Sequence, residues 1–481
     1  MAAASAASLY CADTGLSADC IEFHPTWPGL FALGTYQVDK LPDQQDQPSS
    51  PCSSTPAGAQ HSDDDDGEGG EAARLRYTRR GRLTLHQIGN VRREAVDVKT
   101  VASEDTNAIL DMKWSGSAAL VDCSRSESGA ATLAVADARG SVHLYTVRPT
   151  PPTTRSALSH QHIGQLRLNP HEKLCLSLDW SDRAPLPLPL PPSSSANADA
   201  DASRSSTLAD PSLIVSQSDG MLVYVPRISL NSQGGLTSRL PQTDGSLQDE
   251  DEDEEDGEGD EDDIDDPLRP YLPSNQWEHR PEAMQVWRAH DHEAWIAAWD
   301  CWSAGTVAWS GGDDCKLAGW DMRTRIGPGG ARDPTFALKR GFDGGVTAIQ
   351  SSHLRQHIWA VGSYDGHIRL FDARSPRRPY TSLDIGGGIW RTKWHPHDPE
   401  RLLLGCMHVG FQIVSVPQGE GSEMEVVKTF EGHESLAYGC DWERGRMPGV
   451  KAAEAEDGEG TFVASCSFYD AKLHVWRDER S

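Results

Sequence analysis

One sequence phrase recurs in the C-terminal part of the chain and constrains the fold more than any other feature. It joins a run of small and apolar residues, a turn with Asp or Gly, and an apolar strand that closes on Trp-Asp or a related pair. The copies are Ala308–Asp321, Trp359–Asp372 and Phe462–Arg477. Stretches of alternating polarity that close on Trp accompany these units, namely Trp295–Trp299, Ile389–Trp394 and Tyr438–Trp442. Each unit is therefore predicted to be a small antiparallel sheet.

Repetition every 40–45 residues or so with this signature is typical of WD-type β-propellers, whose four-stranded blades bury their faces only against neighbouring blades. We therefore predict an all-β protein, a single seven-bladed WD40-type propeller over residues 5–478. Six blades are read as Thr106–Val147, Lys173–Val225, His290–Arg323, Phe342–Arg374, Gly386–Val414 and Gly432–Arg477. The seventh, at the front, contains Asp19–Phe23, Leu30–Val38 and Leu83–Ile88. The segment Ser8–Asp13 is predicted to complete the last blade, because ring closure removes an exposed sheet edge.

The chain has 481 residues, whereas seven such blades need only about 300. The surplus is predicted to lie in four low-complexity or acidic loop insertions that remain disordered, at residues 40–73, 148–165, 184–210 and 229–281. The net charge of −28 is concentrated there, since 249–266 holds 15 acidic residues and 63–71 holds six. These acidic stretches are either solvated loops or a docking tail for a basic partner.

Several functional classes are disfavoured by the sequence. Residues 1–10 have no basic start and no apolar core, and no run of 18 apolar residues occurs, which predicts a cytoplasmic protein with no membrane segment. The ten cysteines are scattered without a Cys-x-x-Cys pair, so we predict buried thiols and no metal site. No basic stripe with interleaved aromatic residues indicates direct nucleic-acid binding. Generic hydrolase, metalloprotease and phosphate-loop motifs are also absent.

Alignment of the blades predicts which side chains meet at one rim of the propeller. The turn position of the second hairpin carries Asp314, Asp365, Val409 and Asp470, and the residues just before it are Asp313, Tyr364, His408 and Tyr469. The first position of the innermost strands carries Trp295, Trp390 and Tyr438, with Arg391 beside Trp390. The turn aspartates favour a structural role, with His433 as a possible hydrogen-bond partner, and the aromatic residues could serve inter-blade packing. His408 differs because its blade has Val409 at the turn.

Further motifs resemble one WD-repeat family. They are SGGDDCKLAGWD, GSYDGHIRLFDAR, GGGIWRTKWHP, LLLGCMHVGF, LAYGCDW and ASCSFYDAKLHVW, together with the N-terminal LSADCIEFHP and LFALGTYQV. This set covers every blade and is similar to the diphthine methylesterases of diphthamide biosynthesis. The resemblance implies a hydrolase that removes the methyl ester from methylated diphthine on translation elongation factor 2, giving diphthine for the final amidation, with no cofactor.

The implied chemistry assigns roles to the rim. A substrate with a trimethylammonium group is recognised by aromatic faces, which predicts a cage of Trp295, Trp390, Tyr438, Tyr364 and Tyr469. Asp313 would add charge complementarity, and His433 is also predicted to bind substrate. For ester cleavage we predict His408 as general base, because imidazole titrates near neutral pH, with Arg391 or Tyr438 stabilising the oxyanion. The nucleophile stays open between water and the side chains of Ser435, Ser467, Cys406 and Cys466.

Partners and rival functions follow from the same reading. The predicted partner is modified elongation factor 2, other enzymes of the diphthamide pathway are further candidates, and the protein is predicted to be a monomer. The first alternative is a non-catalytic scaffold that grips a peptide with the same rim. The second is a ubiquitin-ligase substrate receptor that docks through Asp321-Met322-Arg323 and Asp372-Ala373-Arg374.

Overall fold

Seven antiparallel sheets arranged in a ring form the protein in the computed structural model. The structure describes residues 3–40, 77–116, 130–150, 158–169, 173–183, 210–230, 236–238, 278–279, 283–327, 330–416, 418, 423–444 and 460–479. Every element in these ranges is a strand. The predicted all-β, seven-bladed propeller is therefore confirmed.

The strands fall into blades in chain order. The first two are β1 (Ala4–Ser5) and β2 (Ser8–Asp13). Blade 1 contains β3 (Ala18–Phe23), β4 (Leu30–Thr35), β5 (Gln37–Lys40), β6 (Tyr77–Val91) and β7 (Val96–Asn107). Blade 2 contains β8 (Ile109–Trp114), β9 (Ala131–Asp137), β10 (Ser141–Pro149) and β11 (Leu158–Arg167). Blade 3 contains β12 (Cys175–Trp180), β13 (Leu213–Gln217), β14 (Met221–Val225) and β18 (Gln285–Arg288). A separate hairpin of β15 (Ile228–Leu230) and β16 (Leu236–Ser238) follows β14, and the short β17 (Glu278–His279) pairs parallel with β11 at the edge of blade 2.

The remaining blades are more regular. Blade 4 contains β19 (Ile296–Trp299), β20 (Val307–Gly311), β21 (Leu317–Asp321) and β22 (Phe336–Leu338). Blade 5 contains β23 (Val346–Ser351), β24 (Ile358–Ser363), β25 (His367–Asp372) and β26 (Thr381–Asp384). Blade 6 contains β27 (Ile389–Trp394), β28 (Arg401–Cys406), β29 (Gly410–Ser415) and β30 (Glu425–Phe430), and blade 7 contains β31 (Ala437–Trp442), β32 (Thr461–Ser467) and β33 (Lys472–Asp478).

The N-terminal segment closes the ring as predicted. Strand β2 pairs antiparallel with β33, with Cys11 opposite His474, and so supplies the fourth strand of blade 7. Strand β1 adds to blade 6 by pairing parallel with β30. The N-terminal segment thus covers the outer edge of β33 in blade 7 and the outer edge of β30 in blade 6.

The insertion predicted at 148–165 is partly wrong. Strand β10 continues to Pro149, and β11 begins at Leu158 and pairs with β10 as the outer strand of blade 2. Residues 41–76, 151–157, 184–209 and most of 229–281 lie outside the described residues, so the predictions for them are not tested.

Packing explains why the innermost strands close on Trp. The indole Nε1 of the closing Trp in blades 2, 3, 4, 6 and 7 donates to a carbonyl on the innermost strand of the preceding blade, over 2.9–3.2 Å. One example is Trp180 Nε1 to the carbonyl of Lys113 at 3.0 Å. Among the described residues, seven apolar clusters occupy the seven junctions between neighbouring blades. The recurrent Trp therefore fixes the position of its blade against the preceding blade.

The turn aspartates are structural, as the sequence favoured. In blade 4, Asp314 Oδ1 lies 2.8 Å from His290 Nδ1, and His290 Nε2 lies 2.8 Å from Ser310 Oγ, which also accepts from Trp320 Nε1. The chain of bonds fastens the turn to the loop that enters the blade. Because every member is buried or half-buried and hydrogen-bonded, this network stabilises the blade and leaves none of these side chains free to bind a ligand.

Candidate functional site

Seven equivalent positions surround one mouth of the central channel. Each lies four residues before the last residue of the innermost strand, and in six blades the pairing skips this residue as a β-bulge. A bulge re-aims the side chain that it carries. In order around the ring the positions hold Asp19, Leu110, Leu176, Trp295, Thr347, Trp390 and Tyr438. The mouth is therefore apolar on one side, aromatic on the other, and contains one acid.

Four of the predicted rim aromatics form one continuous group, which we call the aromatic arc and define as Trp295, Tyr364, Trp390 and Tyr438. Trp390 is its centre, with ring centroids 5.5 Å from Trp295, 6.0 Å from Tyr364 and 5.1 Å from Tyr438. Trp295 and Tyr364 meet edge to face at 6.4 Å. All four rings are half-buried, so each keeps part of its surface available at the mouth.

Acidic groups border the arc. Trp295 Nε1 donates to Asp313 Oδ1 at 3.0 Å, which holds that exposed carboxylate beside the rings. Burial, with a smaller contribution from Asp313, raises the pKa of Tyr364 to about 12. Burial and then Asp19 raise the pKa of Tyr438 as well. Both phenols therefore remain neutral hydrogen-bond donors over the physiological pH range.

Two further rings extend the arc and were missed by the sequence reasoning. The ring of Phe468 lies 5.1 Å from Tyr438 and 5.0 Å from the exposed Tyr469, and Tyr36 of blade 1 lies 6.1 Å from Phe468. Phe468 precedes Tyr469 in the same turn, so the turn alignment could have indicated it. Tyr36 follows the second strand of blade 1, and no repeated pattern marks it.

Arg391 lies directly beneath the arc. Its guanidinium carbon is 5.9 Å from the Trp390 ring, and its Nη2 donates to the carbonyl of Leu110 at 3.1 Å on the far side of blade 1. The same nitrogen lies 3.5 Å from Asp111 Oδ1 and 3.9 Å from Asp19 Oδ2. The side chain is buried, so it spans the channel from blade 6 to blade 2 as a floor for the mouth.

A second layer of charges closes the channel below Arg391. It is centred on Glu22, which pairs with Lys393 and lies 3.2 Å from Lys113 Nζ. Although burial opposes it, Lys393 and Lys113 hold the pKa of Glu22 well below its usual range. A cavity of about 40 Å³ remains beside this layer, lined in part by Trp390 and Arg391. The propeller therefore offers a floored mouth and not an open pore.

His408 lies in a neighbouring groove and not among the rings of the arc. The groove has a volume of about 850 Å³ and lies between blades 6 and 7. Its lining includes the exposed His408, Tyr469, Glu431 and Glu434 and the half-buried Ser435. Phe468 and Tyr469 link the groove to the arc. The predicted cavity is thus divided into two adjoining sites, with no ring contact between His408 and the arc among the described residues.

His433 lines the same groove but is engaged in the blade. Its Nδ1 lies 2.6 Å from Ser467 Oγ and its Nε2 lies 2.9 Å from Ser465 Oγ, which also accepts from Trp476 Nε1. Ser467 in turn donates to Asp470. Burial lowers the pKa of His433 to about 3, so the ring is neutral at physiological pH. This is the blade 7 counterpart of the His290 network.

The candidate nucleophiles lack activation in the described structure. Burial raises the pKa values of Cys406 and Cys466 well above the ordinary thiol value, so both remain protonated. Ser467 is held by His433 and Asp470. Ser435 Oγ accepts from the backbone N–H of Tyr469 at 3.1 Å. An attacking water is consistent with these environments.

Two other predictions concern metals and docking. Within the described ranges, no group of His, Cys, Asp and Glu is arranged to hold a metal ion. In the two Asp-x-Arg tripeptides, the exposed Arg323 and Arg374 form short ion pairs with the half-buried Asp321 and Asp372 of the same tripeptide. None of the described segments is a helix long and apolar enough to span a membrane.

Comparison with known proteins identifies the family. No protein-family model matches the chain. A human protein named diphthine methyltransferase is 31% identical over 441 residues, which covers 90% of this chain and 74% of the human protein. The chain belongs to the diphthine methyltransferase family. The mouse diphthine methyltransferase is 30% identical over 438 residues, and a Dictyostelium discoideum homologue is 36% identical over 198 residues, covering 40% of this chain and 51% of its own.

The diphthine methyltransferase family is the one that the repeat motifs indicated, under a different reaction name. The resemblance implied removal of a methyl ester, whereas the relatives' names state methyl transfer. The match to the human relative extends over nine-tenths of the chain.

Proposed function

We propose that this protein is a carboxylic ester hydrolase that removes the methyl ester from methylated diphthine on translation elongation factor 2. The observation that carries the proposal is the aromatic arc at a floored, partly acidic mouth. Methylated diphthine has a fixed trimethylammonium group beside the ester carbonyl. A site for it needs ring faces, negative charge and a polar group within reach of the carbonyl, and the mouth combines these features.

The arc suits a quaternary ammonium group physically. Such a cation cannot donate hydrogen bonds, so aromatic faces bind it better than polar side chains do. Each ring contributes about 0.5–1 kcal/mol when exposed and about 2 kcal/mol when desolvated. The half-buried rings of Trp295, Trp390 and Tyr438 lie between these limits. The acids Asp313 and Asp19 would add attraction for the cation, and substrate binding would displace water from the mouth.

The groove beside the arc suits the polypeptide that carries the modified side chain. It has a volume of about 850 Å³, and it is lined by two exposed acids, Glu431 and Glu434, with Tyr469 at its boundary to the arc. We infer that a basic segment of elongation factor 2 lies there while the modified side chain reaches into the mouth. His408 would then contact the protein substrate at the groove.

Incubation of the purified protein with elongation factor 2 bearing methyl-esterified diphthine tests the reaction. Hydrolysis would reduce the mass of the factor by one methylene unit without any added methyl donor. The control is the factor that already carries diphthine, whose mass should stay constant. Binding without a mass change would favour a scaffold instead.

Methyl transfer is the second candidate, because the relatives are named for it. It would require a methyl donor such as S-adenosylmethionine, and the factor would gain mass. Parallel incubations with and without this donor separate the two reactions. A gain that depends on the donor would overturn the hydrolase proposal.

A further inference from the structure

The seven equivalent positions around the mouth, which we call the mouth ring, include one carboxylate. Asp19 occupies in blade 1 the position that holds Trp390 in blade 6 and Tyr438 in blade 7. Asp19 is 4% exposed, and its Oδ2 accepts no hydrogen bond from any described residue. Buried polar atoms are normally paired, and an unpaired carboxylate oxygen in a binding site indicates a functional requirement.

Backbone packing fixes Asp19 beside the arc. Gly439 follows Tyr438 in β31, and a Cβ atom at Gly439 would lie 2.7 Å from the Cα of Cys20 and 2.9 Å from the carbonyl oxygen of Asp19. Only glycine permits this close approach of blade 7 to blade 1. The approach brings Tyr438 and Asp19 together, and their mutual electrostatic influence is evident in the raised pKa of Tyr438.

Arg391 does not neutralise Asp19 through a close ion pair. Its Nη2 lies 3.9 Å from Asp19 Oδ2, but it is closer to Asp111 and donates to the carbonyl of Leu110. Asp111 is also held by Lys113 at 2.6 Å. The floor therefore pairs Asp111 closely and leaves Asp19 Oδ2 without a hydrogen-bond donor among the described residues.

Asp19 also has suitable acidity. Burial raises the pKa of its carboxyl to about 7; Arg391 and Lys113 oppose the shift, and Asp111 adds to it. The other titratable neighbours are Cys20 and Cys466, whose raised pKa values keep them neutral, and the neutral phenol of Tyr438. A base that titrates near the working pH combines a useful ionised fraction with a strong tendency to take a proton.

We infer that Asp19 is the general base that activates the hydrolytic water for the ester bound at the aromatic arc. The inference rests on the proposed function and replaces His408 in that role. Asp19 takes a proton as the water oxygen bonds to the ester carbonyl carbon, which gives a tetrahedral oxyanion. Collapse breaks the carbon–methoxy bond, and the departing methoxy oxygen takes the proton from Asp19 to form methanol. The new carboxylic acid releases its own proton to solvent.

Two hydrogen-bond donors of the mouth ring are available to stabilise the oxyanion. The phenol of Tyr438 stays protonated, and Trp390 Nε1 donates to no acceptor among the described residues. Both side chains occupy the mouth ring with Asp19. A base and two free donors at one mouth match the charge development of ester hydrolysis.

The test compares Asp19→Asn with Asp179→Asn on methyl-esterified elongation factor 2. Asp179 is a buried carboxylate of the lower channel, paired with Arg183 and the backbone N–H of Trp299, so its variant controls for loss of a channel charge. We expect Asp19→Asn to lower kcat by at least about 100-fold with KM within about threefold of wild type, as for removal of a general base. Asp179→Asn should have the same kcat as wild type under conditions in which both variants are folded.

For the wild type, kcat/KM should rise with pH through about 7.

The outcomes separate this inference from the proposed function. If the wild type removes no methyl ester, the proposed function fails. If the wild type is active and Asp19→Asn is equally active, or His408→Ala alone abolishes turnover, the assignment of Asp19 is overturned. A rise in KM with unchanged kcat would make Asp19 only a counter-ion for the ammonium group. A methyl group found on the Asp19 peptide after a single turnover would show nucleophilic attack and would also overturn it.

Discussion

At the scale of single residues, one backbone position explains most of the candidate site. The equivalent position holds rings in blades 4, 6 and 7 and an acid in blade 1, and it is a bulge in blades 1, 6 and 7. Alignment on the closing Trp found Trp295, Trp390 and Tyr438 from sequence, because the closing Trp marks the register. It missed Asp19 because the innermost strand of blade 1 closes on Phe23. His408 was predicted from a turn position, and in blade 6 this position faces the groove, whereas Tyr364 at the same position of blade 5 lies in the arc.

The first prediction concerns the stability cost of Asp19. Its pKa is about 7 in the folded protein, against about 3.9 for an unfolded Asp. The folded state therefore holds the proton more tightly, and the stability present below the unfolded value is lost as the pH rises through the folded value. Asp19→Asn should be more stable than wild type by about 1–4 kcal/mol at pH above 7.

Denaturant unfolding of both proteins on the two sides of this pH window measures the effect. The difference should disappear in acid, where Asp19 is protonated in both states. A variant that is less stable than wild type at alkaline pH would show that the buried carboxylate has partners that the structure does not describe.

The second prediction concerns the central ring of the arc. Trp390→Ala removes the ring that contacts Trp295, Tyr364 and Tyr438. We expect KM for methyl-esterified elongation factor 2 to rise roughly 2- to 30-fold, the equivalent of one cation–π contact. Trp302→Ala is the matched control, because Trp302 is a partly buried Trp at the opposite end of blade 4. Equal KM values for the two variants would contradict the cage.

At the scale of elements, the inner strands were predictable and the outer strands were not. Inner strands are buried on both faces, and several end in a Trp that donates a hydrogen bond to the preceding blade, so the sequence marks them twice. Strand β11 contains Ser, Gln and His and has a mixed burial pattern. With that composition it is indistinguishable from a polar loop, which is why residues 148–165 were predicted as an insertion.

The third prediction concerns the closing strand. Deletion of residues 1–14 removes β2 from blade 7, together with Leu9 and Tyr10, which pack against the cluster between blades 1 and 7. The free energy of unfolding should fall by roughly 3–5 kcal/mol, since burying each large apolar side chain contributes about 1.5–3 kcal/mol. Thermal and urea unfolding measure it, with deletion of residues 1–3 as the control. Addition of a peptide of residues 4–14 should restore part of the loss.

At the scale of the whole molecule, closure of the channel directs function to one mouth. Glu22, Lys113 and Lys393 pair across the axis beneath Arg391, and only about 40 Å³ stays open beside them. The ring itself was predictable from the repeat, because repeat length and blade geometry are linked. The division of the site into arc and groove could not be predicted, because it depends on how far each turn extends from its blade.

The fourth prediction concerns the acidic block at 249–266, which holds 15 acidic residues and lies outside the described residues. It is inserted before the last strand of blade 3, and no residue of the arc or the groove comes from that blade. Deleting it should leave folding, kcat and KM unchanged within about twofold. A large rise in KM, reversed by salt, would instead show that the block docks a basic partner.

The most direct test of the central claim is to count methanol released per elongation factor 2 by the wild type and by Trp390→Ala, at limiting substrate concentration. We expect one methanol per methyl-esterified diphthine from the wild type, and a lower rate from the variant. Release of no methanol, or equal rates from both proteins, would show that the ring-lined mouth is not where a methyl ester is bound and cleaved.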